Sequence, residues 1–361
     1  MNIELLRADN LRCFEHISFQ PGPRINWFTG PNGAGKTTLL EAAYLLSHGR
    51  SFRSGSRVAA RRHGARDYLV YAEVRNERGG KVRLGLTRAD DRWHARRDGA
   101  DLNSLAPLFE ACPVVYFGPE SQNLVLGAAE ERRSFLDWSV FHVEHASLEV
   151  WRRWRRALRQ RNALIRQDAS ARDFEAWEHD LGSIAERIDT LRSDCLNGLQ
   201  PFIADEAAAL VPELGSVHID YHPGWERETG LARQLAAERD HDRERGFTQH
   251  GAHRADWQLS FSGIAQRQHY SRGQAKAAAL VCTLALSRWL KTATGDYPLL
   301  CMDDIGAELD PQHVSAAIRW VADKPMQSWF TSTRDVCAAP AHADIRVFHV
   351  EHGQSELSGG G

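Results

Sequence analysis
Apolar residues near the start of the chain fall in short bursts, Ile3 to Arg7, Ile17 to Phe19 and Ile25 to Phe28, broken by Pro21, Gly22 and Pro23. Bursts of that length between turn formers predict strands. The period then changes. Leu39, Leu40, Ala43 and Leu46 recur at helical spacing, which predicts a helix from Lys36 to Ser47 stopped by Gly49. Residues 68 to 95 alternate again around a Gly79-Gly80 turn, the mark of an antiparallel hairpin that extends the first sheet. The run Pro113 to Phe117 is apolar throughout, as in a strand buried on both faces. From about 146 to 210 the pattern is helical. Trp151, Trp154, Leu158 and Ile165 mark one helix, and Phe174, Trp177, Leu181, Ile184, Ile188, Leu191 and Cys195 mark a heptad seam on a second. The two predict an antiparallel hairpin, either a projecting arm or an ordinary bundle core. Residues 222 to 256 are charged and weakly periodic, so loops with one short helix around Leu231 to Arg239 are expected there.

A length of 361 residues allows two or three domains. The net charge is -2, so a surface for nucleic acid must be local rather than global. Six cysteines are widely spaced without a CxxC pair, which argues against a disulfide framework or a cysteine zinc site and suggests a reduced, cytoplasmic setting. Met1 to Glu15 lacks the apolar stretch of a signal peptide, and the run from Lys276 to Arg288 is too short to cross a bilayer, so no membrane association is expected.

Gly30-Pro31-Asn32-Gly33-Ala34-Gly35-Lys36-Thr37 matches GxxxxGK[ST] between a predicted strand and a predicted helix. In that context the glycines let backbone amides turn around phosphate oxygens, Lys36 adds an ammonium and Thr37 offers a hydroxyl to Mg²⁺. Such a loop needs a carboxylate at the end of a buried strand. Pro298 to Met302 followed by Asp303 supplies it, and Asp304 occupies the position where transporter ATPases carry a catalytic Glu. A side chain one methylene shorter reaches an attacking water less well, so Asp304 predicts slow hydrolysis. More than half the chain separates Lys36 from Asp303, which requires an insertion. Tyr270-Ser271-Arg272-Gly273-Gln274, ahead of an apolar helix, resembles the signature of ABC-type ATPases. Ser271, Gly273 and Gln274 would form a second anion cradle, and in that class it faces the triphosphate held by another subunit.

With Leu11-Arg12-Cys13-Phe14, Phe117-Gly118-Pro119-Glu120, the segment Glu131 to Asp137 and Gly251-Ala252-His253-Arg254, these motifs resemble the RecF family over nearly the whole chain. Its members are bacterial recombination-mediator ATPases related to SMC heads. The resemblance implies an α/β, ABC/SMC-type P-loop ATPase head with an inserted helical second domain. Here the head would comprise residues 1–140 and 246–361, and the helical arm residues 141–245. It further implies ATP and Mg²⁺ as ligands, an ATP-dependent homodimer, and binding to single-stranded and gapped DNA in recombinational repair and replication restart. RecO and RecR are the implied partners, which help load RecA. A scaffold of the SMC class that binds nucleotide without hydrolysing it is the alternative, because Asp304 is short. At the position of the transporters' switch histidine stand Thr331, Ser332 and Thr333.

For DNA contact the segment after the first helix stands out, since Arg50, Arg53, Arg57, Arg61 and Arg62 precede the first acid at Asp67. A second cluster, Arg152, Arg153, Arg155, Arg156, Arg159, Arg161 and Arg166, lies on the first long helix. Both would track phosphates without reading bases.

Overall fold
The computed structural model describes residues 1–53, 60–90, 92–167, 169–264, 270–333, 339–351 and 354–357. It divides into two compact units, one formed by residues 1–121 and 279–361 and the other by 122–278.

The first unit begins with β1 (Asn2–Leu11), β2 (Phe14–Phe19) and β3 (Ile25–Thr29), then α1 (Lys36–His48). Gly49 caps α1 in the left-handed region, its amide donating to the Leu45 carbonyl. Next come β4 (Tyr68–Arg75), β5 (Lys81–Ala89), β6 (Arg92–Arg97), β7 (Ala100–Asp101), α2 (Ala106–Ala111) and β8 (Val114–Phe117). Strands β2-β1-β4-β5-β6-β7 form one antiparallel sheet in that order. Alternation places Leu6, Ala8, Val70, Ala72, Leu84 and Leu86 on its buried face, where they pack with α1 residues Leu39, Leu40, Ala43 and Leu46.

The second unit contains α3 (Asn123–Leu126), α4 (Ala129–Val143), α5 (Ser147–Arg166), α6 (Ala171–Leu210), β9 (Val217–His222), α7 (Leu231–Ala237), α8 (Arg239–Arg245) and β10 (Asp256–Phe261). A Ser170 and Asp173 capping box starts the long helix α6. The heptad seam is core: Leu181, Ile184 and Ile188 pack with Trp154 and Ala157 of α5, Leu231 and Leu235 of α7, and Trp225. Strands β9 and β10 pair antiparallel, from Asp256 opposite His222 to Phe261 opposite Val217. The sequence reading expected loops where α8 lies and missed this pairing. Its strands are far apart in the chain, and β9 alternates only between half-buried and exposed positions. The unit divisions at 121/122 and 278/279 differ from the expected boundaries at 140/141 and 245/246, because α4 packs with α6 and β10.

Helix α9 (Arg272–Thr294) leads back to the first unit, followed by β11 (Leu299–Met302), α10 (Ile305–Glu308), α11 (Pro311–Ala322), β12 (Ser328–Thr331), β13 (Ile345–Glu351) and β14 (Gln354–Leu357). The second sheet has the order β14-β13-β3-β12-β11-β8, parallel except for β14. Both Asp303, after β11, and the loop after β3 therefore emerge at the carboxyl ends of parallel strands that flank β12, the usual place for a ligand in such a sheet. Buried Gln327 stitches β1 to this region: it accepts from the Ile3 amide at 2.8 Å and donates to the carbonyls of Ile3 at 2.9 Å and Gly22 at 2.7 Å.

Candidate nucleotide site
Between β3 and α1 the chain makes the turn that the glycine pattern predicts. Gly30 has φ +140°, and a Cβ there would lie 2.1 Å from the Val350 carbonyl oxygen. Gly35 has φ +112° and would collide with the Phe14 ring at 2.6 Å. Both positions combine a left-handed backbone with a close neighbour, so only glycine fits them. A Cβ on Gly33 would meet none of the described residues within 4 Å, which leaves that side of the loop open among them. Lys36 Nζ donates to the carbonyls of Gly30 at 2.7 Å and Pro31 at 2.9 Å, laying its ammonium along the loop. Burial pulls the Lys36 pKa below its usual value, against the opposing pull of Asp304 and Asp303.

The buried Asp303 follows β11, and its amide donates to the Phe117 carbonyl of β8 at 2.8 Å. Its Oδ1 accepts from the hydroxyls of Thr37 and Thr331, each at 2.7 Å, and its Oδ2 from Tyr116 at 3.3 Å. Burial raises the Asp303 pKa, while the hydroxyls of Thr331, Thr37 and Tyr116 and the charge of Arg53 oppose that rise. The Thr331 hydroxyl also accepts from the Asp304 amide at 2.7 Å, tying both acids to β12. Asp304 has φ 48° and ψ 42°, a left-handed conformation that Asp tolerates better than most side chains. A loop open on one face, an ammonium and a hydroxyl–carboxylate pair form a donor set suited to a polyphosphate and a hard divalent cation.

A cavity of ≈ 200 Å³ joins these groups, lined by Arg12, Cys13, Asn32, Gly33, Gly35, Lys36, Thr37, Thr38, Arg53, Asp304 and Thr331. Arg12 and Arg53 were not singled out for this cavity by sequence reasoning. Both lean on Glu41, which is fully buried in α1: Arg12 donates to it through Nε at 3.0 Å and Nη2 at 2.7 Å, and an Arg53 nitrogen lies 4.0 Å away. A buried Glu in a helix behind the phosphate loop was the available signal, because it demands a cation.

The arginines proposed for DNA separate in the structure. Arg50 is exposed, Arg53 lines the cavity, and Arg57 lies outside the described residues. Arg61 pairs with Asp90 at 2.9 Å and Arg62 with Glu15 at 3.2 Å, so distant acids offset a run that looks unopposed along the chain. On α5, Arg161 is fully buried, held by Asp242 at 2.6 Å, Thr248 at 2.8 Å, Glu178 at 3.2 Å and the Leu235 carbonyl at 3.0 Å. This corrects its place in the second cluster. It is an internal strut, whereas Arg155, Arg156 and Arg159 are exposed.

In the second unit Ser271 and Gln274 bond reciprocally. The Ser271 amide donates to Gln274 Oε1 at 2.9 Å, and the Gln274 amide to Ser271 Oγ at 3.2 Å. This is a capping box at the start of α9. Ser271 and Gly273 are exposed, while Tyr270 and Ala275 are buried on either side of them. Other segments of the sequence pattern are structural: Arg132 pairs with Asp256 at 2.7 Å, and Arg192 donates to Asp137 at 2.8 Å and to the Ala252 carbonyl at 2.7 Å.

Comparison with known proteins bears on the whole chain. A family model described as an AAA domain matches residues 6–179. The DNA replication and repair protein RecF of Xanthomonas axonopodis pv. citri is 40% identical over 360 residues, covering 98% of each chain. That of Stenotrophomonas maltophilia is 39% identical over 359 residues, covering 98% of this chain and 99% of its own. The chain belongs to the RecF family. A structure of the recombination mediator RecF with ATP superimposes with a TM-score of 0.87 at 22% identity, covering 99% of this chain and 97% of that one. An Smc head bound to the C-terminal winged-helix domain of ScpA gives 0.60 at 16% identity, covering 99% and 97%. The RecF-family fold is accordingly an α/β, ABC/SMC-type P-loop head carrying a helical insertion, as the motif order implies. Among the described residues no helix is long and apolar enough to cross a membrane.

Proposed function
We propose that this chain is an ATP-gated DNA-binding protein of recombinational repair and replication restart. The observation that carries the reading is the convergence of the Gly30–Thr37 loop, Asp303 and Asp304 at the carboxyl ends of β3 and β11, the two parallel strands on either side of β12. Gly33, Ala34, Gly35 and Lys36 would hold the phosphates, with Pro31 and Asn32 shaping the loop's outer rim. Thr37 and Asp303 would hold Mg²⁺, which supplies charge neutralisation to the phosphate oxygens. Asp304, facing the cavity, would orient water for slow hydrolysis, and its placement favours this over a scaffold that does not turn over. Arg12 and Arg53 add positive charge to the cavity and would offset the negative charge of the phosphates. This assigns Arg53 to nucleotide before DNA, and leaves Arg50 as the exposed arginine of the described run for single-stranded or gapped DNA.

The exposed Ser271 and Gly273 at the α9 N-terminus are available to a second copy's triphosphate, so ATP would join two chains in a homodimer. Gln274, bonded to the Ser271 amide, would keep that turn in shape. RecO and RecR are the partners proposed for loading RecA, by analogy with the family's pathway. Particle size with ATP and Mg²⁺ tests the clamp on the natural chain, Lys36→Met and Ser271→Arg. Lys36→Met should lose nucleotide binding and dimers, and Ser271→Arg should bind nucleotide yet stay monomeric. Dimers of Ser271→Arg at the natural concentration dependence would remove the signature from the mechanism. Single-turnover hydrolysis with Asp304→Asn separates the slow ATPase from the scaffold.

A further inference from the structure
The antiparallel sheet of the first unit has one face in the core and one in solvent, and the solvent face is unusually furnished. Gly85 sits in the middle of β5, with Tyr71 of β4 opposite on one side and Arg96 of β6 on the other. Glycine in a strand interior weakens the strand, and it often marks a place where another group approaches closely. Nothing among the described residues explains it here: a Cβ on Gly85 would meet none of their atoms within 4 Å, and its φ is not left-handed. What the missing side chain leaves is a hollow of ≈ 340 Å³, walled by Leu69, Tyr71, Thr87, Arg83, His94 and Arg96.

The rim is basic. Arg92, His94 and Arg96 are exposed at every second position of β6, a spacing of about 7 Å, on the scale of successive phosphates in an extended strand. Arg83 stands on β5, and the Arg7 guanidinium lies 5.9 Å from the centre of the Tyr71 ring. The acids nearby are already engaged. Glu73 takes Lys81 at 2.7 Å and the Tyr71 hydroxyl at 3.0 Å, and Asp101 takes Arg96 at 2.7 Å and His94 at 3.0 Å. Among the described residues Arg7, Arg83 and Arg92 pair with no carboxylate.

We propose that this sheet face is a second docking surface for single-stranded DNA, on which a base lies against Tyr71 in the hollow over Gly85 and phosphates pair with Arg7, Arg83 and Arg92. The inference rests on the DNA-binding reading above and assigns it a surface separate from Arg50. An aromatic ring beside unpaired guanidiniums is the arrangement that holds single strands without reading sequence. A protein partner would need a wider apolar patch than this one dent with a charged rim.

Oligo(dT) carrying a halogenated uracil tests it by photocrosslinking and by binding at moderate salt, on the natural full-length chain and on Gly85→Val, Tyr71→Leu and Arg83→Glu. The open space over Gly85 lets valine enter without disturbing the sheet, and nucleotide-analogue binding checks that each variant is folded. The expected result is a crosslink within β4 or β5 and a loss of affinity of about tenfold per variant, the scale of removing one stacked base. Natural affinity in all three variants, with crosslinks elsewhere, overturns the proposal and leaves the DNA-binding reading standing. No binding of oligo(dT) or gapped duplex by the natural chain overturns both. Variants that keep the oligonucleotide but lose a protein partner make the face a protein-docking surface and also overturn the proposal.

Discussion

Replacing Thr331 with valine keeps the shape of a fully buried side chain and removes one hydroxyl, which isolates what that hydroxyl does. It donates to Asp303 Oδ1 and accepts from the Asp304 amide, both at 2.7 Å. Without it, the Asp304 amide loses its acceptor, at a cost of about 1–3 kcal/mol, and Asp303 keeps only Thr37 on Oδ1. The same bond helps hold Asp304 at φ 48°, a conformation costing on the order of 1 kcal/mol that the surroundings must impose. The valine variant should therefore lose roughly 2–4 kcal/mol, which for a domain of about 200 residues means a Tm lower by roughly 5–15 °C. Thr331→Ser retains the hydroxyl and should lose far less. In single-turnover hydrolysis the valine variant should fall in rate by a larger factor than in nucleotide affinity, because Asp304 loses its tether while the phosphate loop is untouched. A valine variant as stable as the serine variant, with natural turnover, would refute this account of how the two acids are held.

Further outcomes follow from other parts of the molecule. Arg161→Met strips Asp242 of its buried partner while Glu178 keeps Arg239, and should cost about 3–5 kcal/mol in denaturant unfolding; an unchanged midpoint would mean the strut is dispensable. Gln327→Leu takes the side-chain acceptor from the buried Ile3 amide and a donor from the Ile3 carbonyl, while the Gly22 carbonyl keeps Asn26 Nδ2 at 3.0 Å, and should lower stability by roughly 1–3 kcal/mol, read in the same way. Burial lowers the pKa of His142 to about 3 and of His253 to about 4 from the ordinary 6.5. Both are favoured neutral when folded, so their contribution is complete above pH 6.5 and is lost as pH falls, because the unfolded chain takes up the protons first. At pH 5 each should cost about 2 kcal/mol, a loss that His142→Phe should relieve in a stability–pH profile.

The phosphate loop, the Asp303–Asp304 pair and the capped start of α9 were readable from residue order, because each is a local arrangement whose glycines, cap residues and strand or helix periods lie within a few positions. The parallel strands on which the first two motifs stand were readable for the same reason, as short apolar runs. The helical seam was readable as a stripe, but a stripe states which residues are buried and not against what. Only the packing of α7 and Trp225 onto it made it the core of a compact unit. Charge was the least legible feature. Arg161, Arg61 and Arg62 look alike in a list of basic residues, yet Asp242, Asp90 and Glu15 meet them from distant parts of the chain. Likewise Thr331 became a tether for both acids only because β12 lies beside β11, and Arg12 reached the cavity only because Glu41 is buried behind it. Backbone conformation is set by neighbours in sequence, whereas ionic partners and cavities are set by neighbours in space, and those exist only once the chain has folded.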